Sequence, residues 1–215
     1  MKERPILFSG PMVRAIIEGR KTQTRRVMKP RRDLTVGCKL ACCELAGEVN
    51  TGHYSNSEFG APGDRLWVRE THDVNRLGSE TFPDGRTRLY AGIAYQADDG
   101  RHEADISDSQ CRAIEAKTWR GWTPSIHMPR WASRITLEIT GVRAERLQSI
   151  EWDEAIAEGI RDPRRAARRV DPVEGTVAQF RQLWDGLNAA RGHGWDANPW
   201  VWVIEFRRID GPEKR

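Results

Sequence analysis

The chain has no apolar run approaching the roughly 18 residues that a membrane-spanning helix requires, and its opening Met1-Lys2-Glu3-Arg4-Pro5-Ile6-Leu7-Phe8 lacks the apolar stretch and small-residue cleavage site of an export signal. These absences argue against a membrane partner and predict a cytoplasmic protein. Internal repeats and low-complexity tracts are missing too. The 215 residues suffice for one good core, so a single domain over 1–215 is expected. Cysteine is sparse. Cys38, Cys42, Cys43 and Cys111 in a reducing compartment read as free thiols rather than a disulfide framework. Cys38, Cys42 and Cys43 with His53 or His72 form a weak zinc pattern, since the paired C-x2-C knuckles of a structural site are absent. A surface insertion with adventitious cysteines is the plainer reading. The H-x-E and P-C-x-x-C signatures of zinc deaminases are also absent.

Net charge is small, +4, and a total that low says little about partners. Its distribution says more. Between Arg14 and Arg32 the basic residues Arg14, Arg20, Lys21, Arg25, Arg26, Lys29, Arg31 and Arg32 face the single acid Glu18. A second cluster comprises Arg161, Arg164, Arg165, Arg168 and Arg169. Such clusters suit either a phosphate footprint for RNA or single-stranded DNA, or two solvated faces.

Patterning locates the elements. Ser9-Gly10-Pro11 supplies helix-start chemistry, Met12, Val13, Ile16 and Ile17 recur at helical spacing, and Gly19 is placed to end that helix. Thr22 to Val27 reads as a strand. Further strands are predicted at Leu66–Thr71, Leu89–Gln96, Ala132–Val142 and Pro199–Arg207. Ile150 to Glu158 has the interleaved acids of a short amphipathic helix ended by Gly159, and Val177, Phe180, Leu183, Trp184 and Leu187 define a longer one. Residues 31–62 carry little periodicity and nothing that looks like a core, and within 76–127 the stretches Leu77–Arg88 and Ala97–Lys117, on either side of the Leu89–Gln96 strand, read as connecting excursions rather than a separate domain; both segments are expected to be insertions. Strands separated by helices and long excursions, with antiparallel alternation, predict an α+β protein with a small barrel rather than a parallel doubly wound sheet. Among nine tryptophans, the patterned neighbours of Trp67, Trp184 and Trp202 place them in the core. Trp119, Trp122 and Trp131, near His127, Arg120 and Arg130, are divided between core and base-stacking roles.

Ile16-Ile17-Glu18-Gly19-Arg20-Lys21-Thr22-Gln23-Thr24-Arg25-Arg26 resembles the helix-then-G-x-K-T-x-T-x-R signature of the ASCH family, which has a PUA-like fold. Pro62-Gly63-Asp64 followed by Arg65 to Glu70 is similar to that family's strand entry, Asp153 to Ile160 to its D-A-x-x-E-G helix, and Trp200 to Phe206 to its closing strand. These segments cover about two-fifths of the chain. In organisation the sequence is similar to the larger family members of bacteriophages and prophages. The resemblance implies a small mixed or antiparallel β-barrel with flanking helices and long insertions. It also implies one of several functions: an amidohydrolase acting on N4-acetylcytidine, an RNA-binding module or a ribonuclease. For the amidohydrolase it implies Lys21, Thr24 and Glu158 as catalytic residues, with no metal and no cofactor, and a modified nucleoside or nucleobase as substrate.

Elementary chemistry adds Arg20, Arg25, Arg26, Trp67 and Glu70 as candidate substrate contacts and imposes two conditions. Residues three apart in a regular strand point to opposite faces, so Lys21 must still belong to the turn when Thr24 has entered the strand. Glu158 raises the proton affinity of a neighbouring lysine, so burial or the arginines must outweigh it if Lys21 is to act as a base rather than as an oxyanion contact.

Overall fold

A computed structural model describes residues 1–116, 121–162 and 172–209, with side chains from 175 onward in the last segment. In chain order the elements begin with β1 (Glu3–Leu7), α1 (Gly10–Ile17), β2 (Gln23–Val27), β3 (Arg31–Arg32), β4 (Lys39–Leu40), α2 (Cys42–Asn50) and β5 (Arg65–Arg69). There follow β6 (His72–Thr81), β7 (Thr87–Tyr95), β8 (Arg101–Asp105), α3 (Asp108–Glu115), β9 (Thr136–Arg146), α4 (Trp152–Ala157), α5 (Pro172–Asn188) and β10 (Trp200–Ile209). The fold is mixed α+β with several antiparallel sheets. Among the described residues every strand order has two ends, so none of these sheets closes on itself and the expected barrel is not formed. No described helix is long and apolar enough to cross a membrane.

The chain divides into two units, one of Met1–Glu3, Ala15–Arg65 and Leu137–Arg208, the other of Arg4–Arg14, Leu66–Thr136 and Ile209. In the first, β10 lies between β9 and β2, with Val201 opposite Val27, Val203 opposite Arg25 and Glu205 opposite Gln23. Residues directly opposite in an antiparallel pair share a face. One face of this sheet therefore carries Val27, Val201 and Val203, which pack with Leu147, Ile150, Ala155, Phe180 and Trp184. The other face carries Trp202 and Ile204, also buried. Burial on both faces explains why Val201 to Ile204 is an unbroken apolar run. Trp184 donates its indole N–H to the His193 carbonyl at 2.8 Å, which satisfies its polar edge within this core.

Two expectations about the insertions are corrected. Within residues 31–62, α2 buries Leu45, Ala46 and Val49. Three apolar residues at i, i+1 and i+4 in a nine-residue helix are too short a pattern to stand out among charges and cysteines. Over residues 72–105, most of them in the second expected insertion, β6, β7 and β8 form an antiparallel sheet. A turn at Phe82–Arg86 joins β6 to β7, with the Phe82 N–H donating to the Arg86 carbonyl. This sheet and α3 bury Ala91, Ile93, Tyr95, Ala104, Ile106 and Ile114. The outer half of β6 is exposed, so it shows no apolar alternation, and its pairing rests on backbone hydrogen bonds that composition does not reveal.

Leu45 is wholly buried, and its truncation leaves a cavity. Leu45→Ala is expected to lower the unfolding free energy by about 2–5 kcal/mol, read from urea denaturation; a change below about 0.5 kcal/mol, typical of surface sites, contradicts a core under α2.

Candidate active site

Gly19 leaves α1 at φ +72, a backbone region open to glycine at little cost, and the chain folds back so that the Arg20 and Lys21 N–H groups both donate to the Ala15 carbonyl. Lys21 thus stands in the turn and Thr24 in the strand. This turn abuts the last residues of α4, and three consecutive residues receive three consecutive carbonyls. The Thr22 N–H donates to the Ala157 carbonyl at 2.9 Å, Lys21 Nζ to the Glu158 carbonyl at 2.8 Å, and Arg20 Nη1 to the Gly159 carbonyl at 2.9 Å. A helix C-terminus leaves unsatisfied carbonyls carrying partial negative charge, so an amide and two cations complement it. Gly159, at φ +99, reverses the chain here; a Cβ on it would lie 3.2 Å from Ala15 Cβ and 3.3 Å from Lys21 Cβ.

Lys21 and Glu158 are each 4 % exposed, and Lys21 Nζ donates to Glu158 Oε2 at 2.7 Å. Burial pulls the Lys21 ammonium below the usual lysine range; Glu158 opposes this through its charge and its hydrogen bond, while Arg26 and Arg25 reinforce it. The balance goes to desolvation. An ammonium removed from water loses solvation that a single carboxylate does not fully replace.

Arg25 continues the charged layer. Its guanidinium is fully buried and faces three glutamates: Nη2 donates to Glu154 Oε2 at 2.8 Å and Glu145 Oε2 at 3.3 Å, and Nη1 to Glu158 Oε1 at 3.4 Å. Glu154 Oε2 also accepts the Glu151 N–H at the start of α4, 3.0 Å away. Arg143 then bridges Glu145, Glu154 and Glu205, and its Nη2 donates to Gln23 Oε1 at 3.4 Å. Residues at two-step spacing along one face of β2 therefore pass from apolar core at Val27, through this ion network at Arg25, to Gln23, which lines a cleft of about 440 Å³ with Arg143, Glu154 and Glu205.

The other expected site residues are placed differently. Thr24, 4 % exposed, pairs with Ile204 in register and so points to the face of β2 opposite Arg25. Arg26 shares that face and is half-buried; burial lowers its proton affinity while Glu158 and Glu58 raise it, and a guanidinium so placed stays charged. Arg20 pairs with Glu18 at 2.6 Å. Trp67 and Glu70 belong to the second unit. There Trp67 is buried beside Arg69, whose guanidinium lies 5.0 Å from its ring centre, and Arg130, 5.9 Å away. Glu70 accepts two 2.9 Å hydrogen bonds from Arg134, which also binds Asp98 and lies 4.0 Å from the Tyr95 ring centre. Burial raises the Glu70 carboxyl in spite of Arg134.

Trp131 packs in the core of the second unit, while Trp122 and His127 are exposed. Trp119 and Arg120, and Arg164, Arg165, Arg168 and Arg169 of the second basic cluster, lie outside the described residues. Among the described residues no three metal-ligating side chains come together; Cys42 Sγ lies 3.5 Å from the Met28 carbonyl, to which it donates. The sequence reading passed over Arg143, Glu145, Glu154 and Glu205. The alternation of Arg143, Glu145 and Glu205 with apolar residues in β9 and β10 is the ordinary pattern of a solvent-facing side, and Glu154 is one of several acids on α4; the ion pairs of Glu154 with Arg25 and Arg143 bring them together.

A scan against protein-family models finds no match for the chain, and searches of curated proteins and of solved structures find none either.

Two outcomes are expected. Gly159→Ala forces an unfavourable φ and crowds Lys21, so its melting temperature falls, with a cost of about 1–3 kcal/mol; an unchanged melting curve contradicts the packing of this turn. The lowered Lys21 value fixes the sign of a pH effect. Between that value and the unfolded 10.5 the unfolded chain binds more protons at this site, so the Lys21 contribution to stability rises with pH. Denaturation at pH 8 to 10 therefore shows wild type gaining on Lys21→Met as pH rises; a gap constant or moving the other way overturns this assignment.

Proposed function

We propose that the protein is an amidohydrolase that removes an acyl group from N4-acylated cytosine or cytidine, with Lys21 as the proton-accepting amine, Glu158 holding it in place and Thr24 as nucleophile. The observation that carries this reading is the buried Lys21 amine, whose proton affinity is lowered even with Glu158 at 2.7 Å. A lysine serves as a general base only if it is neutral for a useful fraction of the time, and desolvation is one of the standard routes to that state. Lys21 precedes β2 (Gln23–Val27), so the alternation of faces along the strand does not fix its side, and Arg26, which shares Thr24's face, acts on its charge as Arg25 does from the other. On that basis Thr24 would meet Lys21.

In the proposed reaction the Thr24 hydroxyl oxygen adds to the acyl carbonyl as its proton passes to the neutral Lys21 Nζ. The carbon–nitrogen bond then breaks, and N4 departs carrying that proton. Water, giving its proton to Lys21, attacks the threonyl ester; the carboxylic acid leaves and Thr24 regains its hydrogen. A positioned general base contributes about 10²–10⁴ in rate. The alternative, an RNA- or single-stranded-nucleic-acid-binding module or a ribonuclease using the same basic stretch, draws less support. Phosphate binding needs cations without carboxylate partners, whereas Arg25 faces three glutamates and Arg20 pairs with Glu18.

Purified protein incubated with N4-acetylcytidine is expected to release cytidine, and Lys21→Met and Thr24→Val each to lower kcat/KM by about 100-fold or more. Glu158→Gln removes a charge that raises the lysine value, so the ascending limb of its pH–rate profile moves to lower pH. Release by Lys21→Met at the wild-type rate excludes the reading.

A further inference from the structure

A residue lining the cleft at the open end of the ion network carries a buried donor without a hydrogen-bond partner among the described residues. Gln23 is 4 % exposed. Its Oε1 accepts the long 3.4 Å bond from Arg143, while its Nε2 is buried and makes no hydrogen bond. A buried amide N–H left unmade costs about 1–3 kcal/mol, so native proteins rarely keep one without a reason. Replacing Gln23 by an apolar residue of similar size would remove that cost, and the presence of such a donor beside a cleft points to a ligand. Around Gln23 the same cleft presents the carboxylates of Asp153, Glu154 and Glu205, with Arg143 as the single lining cation.

We propose that this cleft, on the Gln23–Arg25 face of β2, is a ligand-binding cleft beside the site and that Gln23 Nε2 is a positioning donor for a carbonyl oxygen of a neutral ligand. The amidohydrolase reading supplies the ligand's class, a nucleobase or nucleoside with a carbonyl beside N–H or O–H groups; the cleft and its unpartnered donor stand apart from that reading. Glu205, 44 % exposed at its side chain, accepts the ligand's N–H or O–H. Arg143, 30 % exposed, overlies Gln23 and admits the ligand by yielding its 3.4 Å contact, the longest it makes to the network. Three carboxylates against one guanidinium repel a phosphate, so the ligand carries none. The cleft is linked to Lys21 and Glu158 through a series of contacts from Gln23 to Arg143, Glu154, Arg25, Glu158 and Lys21, while Thr24 lies on the other face of β2.

The test titrates N4-acetylcytidine, and separately its 5′-monophosphate, into wild-type protein and Gln23→Leu, with thermal melting of both proteins alongside. Wild type is expected to bind the nucleoside, the phosphate to bind at least about tenfold more weakly, and Gln23→Leu to lose about three- to tenfold in nucleoside affinity, the range of one neutral hydrogen bond. Its melting temperature is expected to equal or exceed that of wild type, whereas a purely structural glutamine would lower it on loss. Equal nucleoside affinity in the two proteins, no binding by wild type, preference for the phosphate, or a destabilised variant each overturns the proposal. Binding that depends on Gln23 without any cytidine release leaves the cleft assignment standing and removes the amidohydrolase reading. Hydrolysis with unchanged KM and kcat in Gln23→Leu does the reverse.

Discussion

Lys21 and Glu158 lose water together, and much of the first unit is arranged around that cost. Removing an ammonium and a carboxylate from solvent carries a penalty of several kcal/mol per ion, which their mutual attraction offsets only with good geometry and additional hydrogen bonds. The supporting contacts are present. Lys21 takes a carbonyl as well as a carboxylate oxygen, and Glu158 takes a contact from Arg25 on its second oxygen. Gly159 allows the helix to end close enough for those carbonyls to be reached. The stretch from Gly19 to Arg26 therefore has a structural task whatever reaction it performs, as the clamp on the C-terminus of α4.

Next to that pair, Arg25 and Arg143 spread positive charge over Glu145, Glu154, Glu158 and Glu205. A layer of this kind does not earn its place by stability alone, since well-packed apolar residues of similar volume often serve as well or better. It sits between the apolar cluster around Phe180, whose ring centre lies 6.0 Å from the Arg25 guanidinium, and an open cleft. A polar network in that position holds several side chains in one mutual geometry, as a binding or reacting site demands.

Much of the first unit was legible in the sequence, and for identifiable reasons. The helix before Gly19, the strand holding Thr24, the α4 segment ended by Gly159 and the run Val201–Ile204 all carry a strong period or a glycine at the needed place. The Lys21–Glu158 proximity was named through a resemblance, and no pattern in the chain could have set their distance. The β6–β7–β8 sheet was not legible beyond the strand at Leu89–Gln96, because its outer residues are solvated and pair through the backbone. The partners of Arg25 were not legible from local density of charge: eight basic residues lie near one acid, and the compensating glutamates come from 120 to 133 positions further along the chain. Local counting cannot register charge supplied from such distances.

That long-range compensation has a consequence for how the protein can change. Arg25 is held in common by three carboxylates, Glu145 of β9 and Glu154 and Glu158 of the α4 segment, so a substitution at any one of them alters the electrostatic balance felt by the other two. Energies of such substitutions will not add. Drift at Glu145, Glu154, Glu158 and Arg25 is then expected to be concerted, and a lineage that loses the arginine should be found to have shed acidic residues with it.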